Sequence, residues 1–124
     1  MKICITSQGQ TLDATVDPRF GRAAYFLLVD PESMSFEVLA NQALSLGGGV
    51  GIQAAKQVID AGAEAVLTGN CGPNAFQTLQ AGGVTVYSGV SGSVRQAAEA
   101  FKAGRLTADV QASSDAHSGM DRRQ

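Results

Sequence analysis

The sequence contains few of the residues that usually bind metal ions or form disulfides. Among 124 residues there are two cysteines, Cys4 and Cys71, a single histidine, His117, and no C-x-x-C pair. These residues can form neither a disulfide framework nor a four-cysteine zinc site. Because the histidine lies in the C-terminal tail, no serine or cysteine catalytic triad can be built. The low cysteine content is typical of a reducing compartment, so we expect a cytoplasmic protein.

Charged residues and long apolar runs are also scarce. Nine basic and eleven acidic side chains give a net charge of -2, which offers no electrostatic footprint for nucleic acid or for a membrane surface. No apolar run approaches the length of a transmembrane span or of a signal peptide. With 44% hydrophobic residues, the chain is long enough for one hydrophobic core and too short for two.

Hydrophobic periodicity predicts an α/β fold. Residues 1–7, 24–29 and 35–39 have the β-branched or apolar patterns of strands, and the last two are expected to form a hairpin. Residues 61–69 and 81–89 align without gaps, and each has a helix end, a glycine, a short apolar strand, a hydroxyl residue and a second glycine. Each is followed by a helical pattern, which indicates parallel strands joined by right-handed crossovers.

The element order β-β-β-α-β-α-β-α predicts a ribonuclease H-like mixed sheet of five strands. The expected strand order is 3-2-1-4-5, with strand 2 antiparallel and helices on both faces. Residues 1–106 should form this single domain. Residues 107–124 lack apolar periodicity and are predicted to be a disordered tail.

Four loops are expected at one edge of this sheet, because ligand-binding loops follow the carboxyl ends of parallel strands. They are residues 7–22, 47–51, 68–74 and 88–93. In the second, glycines precede a helical pattern, whose free N–H groups and dipole favour an anion. This loop lacks both the dinucleotide-binding fingerprint and the lysine of a P-loop. A flexible loop without a ligand is the alternative interpretation.

Two arginines in the first loop could supply positive charge to an anion. Arg19 and Arg22 flank Phe20 and Gly21. Guanidinium groups beside glycine-rich helix starts suit a multiply charged anion with oxygen or sulfur at its rim. The alternative is a pair of solvated charges, one of them paired with Asp17.

The third loop offers candidate ligands of another kind. Residues 68–74 carry a hydroxyl, two amides and a thiol at a helix start. A thiol there should have a lowered pKa, so Cys71 is a candidate soft metal ligand. The alternative is a small, partly buried loop residue. Cys4 is expected in the core. His117 and Met120 are compatible with copper, although a lone histidine in a tail usually has no such role.

The predicted architecture also raises the possibility of a hydrolase. Metal-dependent phosphodiesterases of ribonuclease H architecture hold metal ions with carboxylates on the central strand. The first predicted strand, residues 1–7, contains no carboxylate. We therefore expect no enzymatic activity, and a phosphate-ester hydrolase is the less favoured alternative.

Several motifs together resemble the dinitrogenase iron–molybdenum cofactor biosynthesis family, whose members are small domains related to nitrogenase cofactor carriers. The similarity covers residues 1–106 and rests on Ser7-x-Gly9, Leu12-Asp13, Phe20-Gly21-Arg22-Ala23-x-Tyr25-Phe26, the Gly47 loop and Gly69-x-x-Gly72-Pro73-Asn74-Ala75. The resemblance implies a ribonuclease H-like domain that binds an anionic metal–sulfur cluster and is not a hydrolase. Within the family, the chain is most similar to a member that holds a molybdenum–copper sulfide cluster noncovalently.

The resemblance and the loops together define a predicted binding set. Thr68, Ser88 and the loop amides would donate hydrogen bonds to cluster sulfides, the arginines would offset the charge, and Phe20 and Val90 would exclude water. The complete set is Arg19, Phe20, Gly21, Arg22, Gly47, Gly48, Gly49, Thr68, Gly69, Asn70, Cys71, Gly72, Pro73, Asn74, Ser88, Gly89 and Val90. Other proteins could supply or receive the cluster. The alternative is a small protein-interaction domain that uses the same loops without a cofactor.

Overall fold

A five-stranded mixed sheet with the order β3-β2-β1-β4-β5 forms the centre of the computed structural model, which describes residues 1–45 and 49–113. The strands are β1 Ile3–Ser7, β2 Tyr25–Val29, β3 Phe36–Ala40, β4 Ala65–Leu67 and β5 Thr85–Tyr87. Strand β2 is antiparallel to β1 and β3, whereas β4 is parallel to β1 and β5. The predicted strand order and orientations are confirmed.

Three α-helices connect or follow the parallel strands. They are α1 Val50–Asp60, α2 Pro73–Ala81 and α3 Val94–Lys102. Helix α1 begins at Val50, earlier than the predicted start at Ile52, so the glycine loop before it is shorter than expected. A short 3₁₀ helix, Gln42–Ser45, was not predicted from the sequence. No helix in the described part of the chain combines the length and apolarity required to cross a bilayer.

Both faces of the sheet are covered by helices, as predicted. Strand β1 lies between these helices, and all five of its residues are buried. Cys4 points into a core formed with α1 and α2, and Ile3 and Ile5 point into a second core with α3. Alternate side chains of a strand face opposite sides, so β1 contributes to both cores, and the hydroxyl groups of its buried Thr6 and Ser7 are hydrogen-bonded. The predicted core position of Cys4 is confirmed.

Residues 107–113, which begin the predicted tail, contact the domain in the structure, and we call them the strap. The Asp109 N–H donates to the Val86 carbonyl at 2.8 Å, and the Ser113 N–H donates to the Cys71 carbonyl at 3.2 Å. These backbone contacts are invisible to a search for apolar periodicity. Residues 114–124, with His117 and Met120, lie outside the described residues.

Candidate functional site

The loop between β1 and β2 and the loop between β4 and α2 lie together at the carboxyl edge of the sheet. Arg19 and Asn70 form an isolated parallel bridge. The Phe20 N–H donates to the Asn70 carbonyl at 3.0 Å, and the Asn70 side chain donates to the Pro18 carbonyl at 3.4 Å. The expected convergence of these two loops is therefore present in the structure.

Glycines allow three backbone segments to approach one another at this edge. A Cβ on Gly69 would lie 2.6 Å from the Pro18 Cα, and one on Gly21 would lie 3.2 Å from the Gly51 Cα. Gly51 also faces the start of α2, since a Cβ built on it would lie at an ordinary contact distance of 3.4 Å from the Ala75 Cβ. The β1–β2 loop is thereby held against the starts of both α1 and α2.

Between these segments lies a cavity of about 460 Å³, which we call the cleft. Its walls are the end of the β1–β2 loop and the first turns of α1 and α2. The cleft is lined by Arg19, Phe20, Gly21, Arg22, Gly49, Val50, Gly51, Ile52, Asn70, Gly72, Pro73, Asn74 and Ala75. Its volume is within the range of about 300–1,000 Å³ that is typical of small-molecule sites.

Both helices that face the cleft begin without a side-chain cap. Gly49 precedes α1 with φ 67°, Gly72 precedes α2, and neither provides a capping hydrogen bond. By contrast, Ser93 and Gln96 form a complete capping box on α3, which lies on the other face of the sheet. The first N–H groups of a helix have no intrahelical acceptor and carry the positive end of its dipole. Two such ends therefore face one cleft.

The two arginines add full positive charge to the cleft. Both are exposed, and neither forms an ion pair within residues 1–45 and 49–113. The suggested pairing with Asp17 involves the backbone instead, since the Arg19 N–H donates to Asp17 Oδ1 at 3.0 Å. No acidic residue belongs to the described lining of the cleft. The arrangement therefore attracts anions.

Several predicted binding residues are not part of the cleft. Thr68 is fully buried, and its Oγ1 lies 2.9 Å from the Thr6 hydroxyl, which donates to it. Val90 is buried in the core beneath α3, and so it cannot shield a guest in the cleft. Ser88 and Gly89 belong to the same β5 loop, which does not line the cleft. Thr68, Ser88, Gly89 and Val90 were thus predicted to bind the cargo, but they do not line the cleft.

Gly69 has an indirect role. It does not line the cleft, but only a residue without a side chain can lie against Pro18 as closely as it does. Gly47, Gly48 and His117 were also predicted, and they lie outside the described residues.

The thiol of Cys71 differs from its predicted state. Burial, together with a smaller contribution from the nearby Asp109 carboxylate, raises its pKa to about 12. The predicted lowered pKa is therefore wrong, because the effect of burial exceeds that of the helix start. Cys71 lies between two residues that line the cleft, but its own side chain is fully buried and does not line it.

The raised pKa of Cys71 predicts a loss of stability in alkaline solution. Above the ordinary thiol pKa of about 9, the unfolded chain releases a proton that the folded chain retains. The free energy of unfolding should therefore fall as pH rises from about 9 towards 12. Urea denaturation of the wild type and of Cys71→Ala over this range tests the sign. The variant should be less stable at neutral pH but should lose stability less steeply, and parallel pH profiles would contradict the prediction.

Part of the cleft was not predicted from the sequence. Val50, Gly51, Ile52 and Ala75 belong to its lining but not to the predicted set. Each lies in the first turn of α1 or α2. A glycine directly before a predicted helix could have indicated these residues. The free N–H donors belong to the first turn of the helix and not to the loop before it.

The donor set of the described residues does not match a conventional metal site. No group of three or more histidine, cysteine, aspartate or glutamate side chains among them could hold a metal ion. What the cleft offers instead is backbone N–H groups and guanidinium groups. Such donors suit a guest that is itself anionic and already carries its own ligands.

Comparison with known proteins identifies a family and several relatives of this chain. The profile of a family described as "Dinitrogenase iron-molybdenum cofactor" matches residues 1–104. The apo form of the orange protein from Desulfovibrio gigas superposes with a TM-score of 0.88 and 41% identity, covering 91% of this chain and 96% of that protein. A putative NifB protein from Thermotoga superposes with a TM-score of 0.74 and 38% identity, covering 86% and 91%. An uncharacterised protein of Methanocaldococcus jannaschii is 28% identical over 109 residues, covering 86% and 89%.

These similarities extend over nearly the whole described chain rather than over one motif. They support a role in binding or carrying a cofactor. The residues that match the family profile include all of the residues that line the cleft. The chain therefore belongs to the dinitrogenase iron–molybdenum cofactor family.

Proposed function

We propose that this chain binds and carries an anionic metal–sulfur cluster in the cleft without catalysing a reaction. The observation that carries the proposal is the combination, around one cavity of about 460 Å³, of two uncapped helix N-termini and two arginines that form no ion pair with any described residue. Each feature alone is common in proteins. Together, and without an acidic residue in the described lining, they favour a multiply charged anion.

The cargo most compatible with these donors is a cluster whose metals are already bound by sulfide. Such a cluster needs hydrogen-bond donors and positive charge from the protein rather than thiolates or imidazoles. First-turn N–H groups of α1 and α2 would bind its outer sulfides, Arg19 and Arg22 would offset its charge, and the backbone of Phe20 and Gly21 would form one wall. The motif resemblance favours a molybdenum–copper sulfide, and the family description favours an iron–molybdenum cofactor type.

A hydrolytic function has less support. Strand β1 consists of Ile3, Cys4, Ile5, Thr6 and Ser7, so no carboxylate projects from it. In the described part of the chain, no cluster of acidic residues could hold a catalytic metal ion. Magnesium-dependent hydrolysis of a phosphate ester by the purified protein would contradict the proposed non-enzymatic function.

Reconstitution tests the proposal directly. Metal-free protein is mixed with tetrathiomolybdate and copper, desalted, and examined by absorption spectroscopy and metal analysis. We expect a chromophore that stays with the protein and a fixed ratio of molybdenum, copper and protein. Heat-denatured protein and an unrelated protein of similar charge serve as controls. A colourless protein that contains neither metal would contradict the proposal.

A further inference from the structure

The strap, residues 107–113, contacts the loop that leads into α2. The Cys71 N–H donates to Ser113 Oγ at 2.7 Å, and the Ser113 N–H donates to the Cys71 carbonyl at 3.2 Å. Nearer the start of the strap, Asp109 Oδ1 accepts a hydrogen bond from the Ser88 N–H at 3.3 Å. The main chain of Cys71 is thus held on both its donor and its acceptor side by a residue 42 positions away.

Little apolar surface keeps the strap in place. Val110 is 90% exposed, and Ala112 is the strap residue that packs against the core beneath α1 and α2. Asp109 Oδ2 is buried and has no hydrogen-bond partner among the described residues. A segment with few apolar contacts and a buried, unsatisfied carboxylate oxygen opens at a lower free-energy cost than the strands beneath it.

The position of the contact connects the strap to the cleft. Cys71 lies between Asn70 and Gly72, both of which line the cleft, and Gly72 is the N-cap of α2. Fixing the main chain of Cys71 therefore fixes the direction in which the first turn of α2 presents its N–H groups. The Cys71 side chain is fully buried in the core cluster against which Ala112 of the strap packs.

We propose that the strap is a detachable clamp. When docked, it holds the start of α2 in the arrangement that forms the cleft and keeps the Cys71 thiol covered. When released, it loosens this wall and uncovers the thiol beside the cleft. Release of the strap should weaken binding of the cargo, because preorganised donors bind more tightly than mobile ones. This consequence rests on the proposed function. By linkage, a bound cargo should then stabilise the docked strap to the same extent.

The two cysteines allow the opening of the strap to be measured in metal-free protein. Native protein is treated with iodoacetamide, and labelling of each cysteine is followed by peptide mass spectrometry. Cys4 lies in the centre of β1 and reports global unfolding. We expect Cys71 to be labelled faster than Cys4. Ser113→Ala should raise the labelling rate of Cys71 by about tenfold, as expected for loss of the hydroxyl contact, and leave that of Cys4 unchanged.

Ser91→Ala is the matched control, because Ser91 is exposed and makes no side-chain hydrogen bond to the described residues. It should change neither labelling rate. Equal rates for Cys71 and Cys4 in the wild type would overturn the proposal, since the thiol would then be reached only by global unfolding. An unchanged Cys71 rate in Ser113→Ala would also overturn it.

A second measurement tests the connection to the cleft. Amide hydrogen exchange of Cys71 and Ser113 is compared with and without tetrathiomolybdate and copper. Slower exchange in metal-loaded protein is the expected result. If the protein takes up both metals and exchange is unchanged, the connection is overturned. If it takes up neither metal, the proposed function fails, whereas the labelling rates in metal-free protein still decide whether the strap detaches.

Discussion

Replacing Arg19 and Arg22 together with alanine should lower the affinity for a molybdenum–copper sulfide by about a hundredfold, if each charge-assisted hydrogen bond contributes about 1.5 kcal/mol. Both side chains line the cleft, are exposed, and form no ion pair within the described residues. The free energy of unfolding should therefore remain nearly the same. Titration of metal-free protein with tetrathiomolybdate and copper measures the affinity, and urea denaturation measures the stability.

Two further variants separate charge from hydrogen-bond geometry. Arg95 is also exposed, but it pairs with Asp13 at 3.2 Å and does not line the cleft, so Arg95→Ala should retain the wild-type affinity. Arg22→Lys keeps the charge but loses the planar guanidinium, and its affinity should lie between those of the wild type and Arg22→Ala. Added salt should weaken binding to the wild type more than to the double variant. Equal affinities for the wild type, the double variant and Arg95→Ala would exclude an electrostatic role for Arg19 and Arg22.

Gly69→Ala should have the largest effect on stability. The new Cβ would lie 2.6 Å from the Pro18 Cα and 2.7 Å from the Pro18 carbonyl oxygen, and main-chain atoms cannot move away as a flexible side chain can. We expect the free energy of unfolding to fall by about 2–3 kcal/mol. For a domain of this size, that corresponds to a decrease in melting temperature of about 10 °C. Cluster uptake should also fall, because the β1–β2 loop would separate from the start of α2.

Gly51→Ala is the matched control for this substitution. Its Cβ would meet the Ala75 Cβ at 3.4 Å, an ordinary van der Waals distance, and Gly51 lies in the first turn of α1. Alanine is favoured over glycine in a helix by up to about 1 kcal/mol, so the stability should be unchanged or slightly higher. A Gly69→Ala variant as stable as Gly51→Ala would show that the close approach to Pro18 is dispensable.

The order of secondary structure elements was predictable because each element is marked locally. Strand β2 is marked by a continuous apolar run that is buried on both faces, and Ser93 with Gln96 marks the start of α3. The repeated pattern of glycine, short apolar strand and hydroxyl residue indicated two parallel strands. Once this order is known, the carboxyl edge of the sheet becomes the expected place for a ligand.

Which side chains reach the cleft was less predictable. Thr68 and Cys71 lie in the expected loop, yet both are fully buried, because the direction of a loop side chain depends on what packs above it. For Cys71, burial outweighs the helix start and raises the thiol pKa instead of lowering it. Val90 follows a strand at the correct edge but points into the core under α3.

The sequence by itself determined the strands, the helices, their order and the presence of glycines and arginines near one edge of the sheet. These depend on periodicity and on local backbone preferences, which act over a few neighbouring residues. Only the tertiary structure decided that the first turns of α1 and α2 face the same cleft, and that the strap contacts Cys71. Both depend on contacts between segments far apart in the chain, such as Gly21 with Gly51 and Cys71 with Ser113, which no local pattern records.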